Sequence, residues 1–178
     1  MRLRRPARRA LLVVHVAASV SWLGLTLGLL ALGVTAATTR SPAVAEASYR
    51  SMKVFADWLN IPIALLSLVS GVVLSLGTPW GLARHRWVLT KFWMTLAATG
   101  LTIFALRPEI TRAAQQAVAG RQVTQASDLI VAPSVALVTY AFMTAISVLK
   151  PWGLTRRGRK LRISARKQVD VKALRPTA

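Results

Sequence analysis

Two ionisable side chains stand inside long apolar runs. His15 sits in ALLVVHVAASVSWLGLTLGLL and Lys91 in WVLTKFWMTLAATGLTIFAL. A charge placed in lipid costs roughly 2.5–3.5 kcal/mol, so an ionisable group there points to function. His15, Ser19 and Thr26 fall at i, i+4 and i+11, one face of a helix, and Trp22 shares that stripe. Lys91, Thr95 and Thr102 repeat the same spacing. An imidazole can accept a proton, donate one or ligate a metal. An ammonium can pair with an anion. If the two stripes face each other, His15 and Lys91 meet in one pocket, with Ser19, Trp22 and Thr95 beside them.

Each group also has a plainer reading. Lys91 lies about five residues from the helix end, roughly 8 Å deep by helix rise, and can snorkel to the headgroups. A neutral His15 hydrogen-bonded to a serine or a carbonyl needs no ligand. His85, in Arg-His-Arg, reads as solvated.

The elements that position these residues follow from composition. The chain of 178 residues is 54% hydrophobic and 16% charged, yet carries a formal net charge of +19. Such a chain is neither disordered nor an ordinary soluble enzyme. It has no cysteine, two histidines and five carboxylates, which excludes disulfides, thiolate chemistry and a closed zinc site. No catalytic residue is assigned, and whether the chain is an enzyme stays open.

A bilayer core about 30 Å thick needs roughly 20 apolar residues in a helix. Four stretches qualify: about 10–36, 58–77, 87–106 and 129–149. None holds a carboxylate. Open strands cannot span lipid, so the expected fold is all-α, an integral membrane four-helix bundle. The arginine-flanked first stretch resembles a secretory signal but exceeds the usual 7–15-residue apolar region. The first nine residues and the segment 150–178 form basic ends. Of the 24 Lys and Arg, 17 lie at the two ends and in the loop after the second crossing, and the positive-inside rule then puts both termini in the cytoplasm of a cell membrane. The basic tail suits anionic lipid headgroups, and no nucleic-acid motif accompanies it.

Outside the crossings, Ser41-Pro42 reads as a helix cap, so the second helix begins well before the membrane. Pro62 predicts a kink. EITRAAQQAVAG reads as a separate short amphipathic helix ending at Gly120. Ala17, Ser21, Gly24 and Gly28 form a small-residue seam that packs a neighbouring helix or, alternatively, a second copy of the chain. Pro-Trp-Gly-Leu occurs at 79–82 and 151–154, and Gly-Leu-Thr at 24–26 and 100–102. Together with the matched stripes, these suggest a parallel duplication of a two-helix unit.

His15 to Trp22 on the first helix, with Trp87 and Lys91 opening the third, resembles the HemJ-type protoporphyrinogen oxidases. The first-helix pattern is also similar to CopD-type copper-resistance membrane proteins. The span from Leu11 to about Ile103, with GTPWGLARHRWVLTK, more closely resembles an uncharacterised family of four-helix bacterial membrane proteins, a domain of unknown function. The HemJ resemblance implies haem or another porphyrin as cofactor. His15 is then the axial metal ligand, Lys91 a propionate partner or second ligand, and Trp22 a pocket wall. The basic tail and the Pro-Trp-Gly-Leu repeat depart from the oxidase pattern, which weighs against oxidase activity more than against porphyrin binding. A small transporter subunit, or a non-catalytic protein that binds a partner or anionic lipid, are the competing readings.

Overall fold

The computed structural model describes residues 3–78 and 81–173. Pro79 and Trp80 of the first Pro-Trp-Gly-Leu copy lie outside the described residues, as do Arg2 and Arg175. Among the described residues, four helices are long and apolar enough to cross a membrane: α1 (Arg5–Thr38), α2 (Pro42–Gly77), α3 (Arg86–Val118) and α4 (Asp128–Leu149). A fifth, α5 (Arg156–Ala173), follows them and is polar. The first four form an all-helical bundle in which each helix packs against its neighbours in chain order and α4 closes back on α1. Large apolar side chains point outward along the crossings, among them Val13, Val69, Phe104 and Val138. That outward face is what a bilayer requires and water forbids.

Two helices run further than their apolar stretches. α2 starts at Pro42, where the Ser41 hydroxyl accepts from the Val44 amide at 3.4 Å. α3 continues without a break through Glu109–Val118, so the expected separate amphipathic helix is an extension of the third crossing. Its end is the one expected. Gly120 adopts φ +65°, with Arg121 N–H donating to Gln116 O at 2.9 Å and Gly120 N–H to Ala117 O at 3.0 Å. This pair of bonds satisfies two carbonyls left over at the helix end.

Continuity has a local cause. α2 carries a π-helical segment at Phe55–Asn60, and α3 one at Thr102–Leu106. Each ends two residues before a proline, Pro62 and Pro108. A proline ring collides with the carbonyl four residues earlier, here those of Trp58 and Phe104, inside the π segments. The wider π turn accommodates the ring, and the helix runs on.

The main core lies at the face opposite the termini. Leu29, Met52, Ile110 and Leu129 are fully buried there, with Ala36, Tyr49, Ala113 and Ala114 around them. Pro133 offers no N–H to the Leu129 carbonyl, and that oxygen rests on Gly33 of α1, where a Cβ would sit 2.6 Å from it. Arg107 bridges α3 to Asp57 of α2 at 2.8 Å, and Lys53 pairs with the same carboxylate. The small-residue seam differs from expectation. Ala17, Ser21 and Gly24 face outward, and nothing lies within 4 Å of a Cβ added at Gly24. Only Gly28 meets a neighbour, Phe55, at 3.4 Å.

Candidate functional site

The inner stripe of α1 faces α2. His15 Nδ1 lies 3.1 Å from the Ser67 carbonyl oxygen and 3.0 Å from Ser70 Oγ. Ser70 spends its own hydroxyl proton on the Leu66 carbonyl at 2.6 Å. Both partners are therefore acceptors, and Nδ1 must carry the proton. The lone pair of the ring then sits on Nε2. Gly71 makes room for the imidazole: a Cβ there would lie 3.0 Å from His15 Cε1. One turn along, Ser19 and Ser67 share a hydroxyl–hydroxyl hydrogen bond of 3.0 Å.

The stripe of α3 turns to α4. Lys91 Nζ donates to Ser147 Oγ, whose proton goes to the Met143 carbonyl at 2.8 Å. Lys91 thus points into the bundle, to a partner helix, rather than out to the headgroups. Thr95 Oγ1 donates to Met143 Sδ at 3.5 Å. His15 and Lys91 are held by different helices, His15 by α2 and Lys91 by α4. The clefts at Glu109–Leu129, at Lys53–Arg112 and at Pro151–Ile163 are lined by neither residue.

Between the two polar pairs and the opposite face lies an aromatic and polar layer. Trp22 is 3% exposed, and its ring centroid is 4.7 Å from that of Tyr140. Thr26 and Thr102, the residues that the stripe alignment equates, are both buried, and the Thr26 hydroxyl donates to the Trp22 carbonyl at 2.9 Å. Met94 packs against this cluster. Trp22 Nε1, Asn60 Oδ1 and Thr99 Oγ1 are buried without a hydrogen-bond partner among the described residues. No group of three His, Cys, Asp or Glu side chains that could hold a metal ion occurs among the described residues.

Sequence reasoning placed His15, Ser19, Trp22, Lys91 and Thr95 on inward stripes. It missed Ser70, whose hydroxyl oxygen lies 3.0 Å from His15 Nδ1. Ser67 and Ser70 stand at i, i+3 on α2, a spacing that could have flagged a shared face.

Residues 9–151 match the family described as "Predicted integral membrane protein (DUF2269)". The chain belongs to that family. It is an integral, multi-pass membrane protein, embedded in a lipid bilayer through α1–α4. No curated protein and no solved structure matches it.

Proposed function

We propose that this family member binds haem or another porphyrin in the half of the bundle nearest its termini, with His15 as the axial ligand. The observation that carries the reading is the Nδ1 hydrogen bond to the Ser67 carbonyl. A metal-ligating histidine ordinarily donates its other ring N–H to a carbonyl or carboxylate, which fixes the tautomer and raises the basicity of the ligating nitrogen. His15 already has that arrangement, with Nε2 left to ligate. A single histidine is the proximal ligand in several haem proteins. His15 would hold the iron through Nε2.

Lys91 is the cation that would face a propionate carboxylate, turned into the bundle by its hydrogen bond to Ser147. Ser19 and Thr95 supply hydroxyls at the same level, and Trp22 is the aromatic wall. A bound iron porphyrin would supply one-electron chemistry and a strong visible absorbance. The chain's own residues would position it: Ser67 and Ser70 orient the imidazole, and Gly71 leaves the ring its place. The resemblance to HemJ-type proteins points the same way. Both termini in the cytoplasm, by the positive-inside rule, put this half of the bundle on the cytoplasmic side.

The test is an absorbance spectrum of the full chain purified from cells with ample haem supply, followed by titration with hemin in detergent. A Soret band that disappears in His15→Ala supports the assignment. A wild-type preparation that has no band and gains none on titration ends it.

A further inference from the structure

The basic segment after the last crossing is docked. The Thr155 hydroxyl donates to the Ala83 carbonyl at 2.7 Å, and its amide to the Arg84 carbonyl at 2.9 Å. Arg86 N–H donates to Gly153 O at 3.2 Å, and His85 and Leu154 form an antiparallel bridge. Thr155 also caps α5, accepting from Gly158 N–H at 3.0 Å. Gly158 is buried against the Arg84 carbonyl so closely that any Cβ would overlap it. Four residues of what could have been a loose tail, Gly153, Leu154, Thr155 and Gly158, thus fix α5 to the loop between α2 and α3.

This docking creates a cleft of about 650 Å³ lined by Arg86, Trp152, Leu154, Arg159, Arg162 and Ile163 among others. Arg159 and Arg162 stand at i, i+3 on one face of α5, and Arg86 opens α3. Among the described residues none of these three guanidinium groups is paired with a carboxylate. The cleft lies where α4 ends at Leu149 and α3 begins at Arg86, the level at which the apolar crossings give way to water. Val148 and Leu149, just above it, are 73% and 74% exposed. Cationic groups below and outward aliphatics above match an amphiphile with a negative head, and tryptophan favours the headgroup level.

We propose that this cleft is a binding site for an anionic phospholipid. Arg86, Arg159 and Arg162 hold the phosphodiester head, Trp152 lies at the glycerol level, and the acyl chains run along Val148 and Leu149. The site is independent of the porphyrin reading, since it shares no residue with it.

The experiment uses the detergent-purified full chain and native mass spectrometry, titrated with phosphatidylglycerol or with phosphatidylcholine of the same acyl chains. The wild type is expected to retain one phosphatidylglycerol in preference to phosphatidylcholine. The double variant Arg159→Gln/Arg162→Gln is expected to lose on the order of tenfold or more in apparent affinity. Arg156→Gln/Arg157→Gln removes the same charge outside the cleft and is expected to change it less than twofold. Arg159→Lys/Arg162→Lys, which keeps the charge, is expected to restore part of the binding and guards against a folding defect. Equal losses in the two Gln pairs, no preference over phosphatidylcholine, or displacement of the lipid by inorganic phosphate at matched concentration would each overturn the proposal.

Discussion

The α1–α2 pair and the α3–α4 pair are built on one frame and carry different chemistry. Ser19 reaches Ser67 and Thr95 reaches Met143, both 48 residues on. His15 reaches Ser70 at a separation of 55 residues, and Lys91 reaches Ser147 at 56. Thr26 and Thr102, equated by the same alignment, are both buried. The frame places an ionisable group on the first helix of each pair and a serine on the second. The outcome depends on the group. An imidazole that gives its proton to a carbonyl keeps a lone pair for a ligand, whereas an ammonium has only protons to offer. One unit can therefore coordinate, and the other can only supply charge.

That asymmetry can be broken one residue at a time. The largest effect is expected from His15→Ala, which should abolish the Soret band, while Lys91→Ala keeps the band and weakens hemin binding by about tenfold, as the loss of one charge-assisted contact implies. Gly71→Leu is next. Its Cβ would already crowd His15 Cε1, so the ring must move, and a weakened or shifted band should result with helix content unchanged by circular dichroism. Ser147→Ala should act on stability rather than on the spectrum, since it leaves the Lys91 ammonium without this acceptor. A loss of about 1–3 kcal/mol in a reversible unfolding assay is expected. The smallest effect belongs to Ser19→Ala, about 0.6 kcal/mol, the average for an interhelical hydrogen bond within membranes. A Ser19→Ala loss larger than that of Ser147→Ala would invert the comparison.

The crossings were legible because lipid leaves so few solutions: runs of about 20 apolar residues without a carboxylate have one fold available. The cap at Ser41 and the turn at Gly120 were legible because each rests on local chemistry. Other features depend on contacts far apart in sequence. Pro62 predicts a kink, but whether a helix breaks or widens into a π turn depends on what packs against it. That His15 bonds a serine or a carbonyl is legible, but which one is not, because Ser67, Ser70 and Ser75 all lie on α2 and only the registration of α1 selects among them. The seam Ala17–Ser21–Gly24 has the composition of a packed interface, yet α1 rolls its Trp22 and Leu29 side inward, where more apolar area is buried. The tail reads as a run of charge. Its docking rests on Thr155 and Gly158, whose partners lie some 70 residues earlier.

The central claim is that His15 keeps its proton on Nδ1 and its lone pair on Nε2. Nitrogen-15 NMR of histidine-labelled protein reads this directly, and with His85→Asn only one histidine remains to assign. The expected result is a neutral ring in the Nδ1–H tautomer, whose Nε2 resonance shifts or broadens when hemin is added. A neutral ring protonated on Nε2, unchanged by hemin, would contradict it.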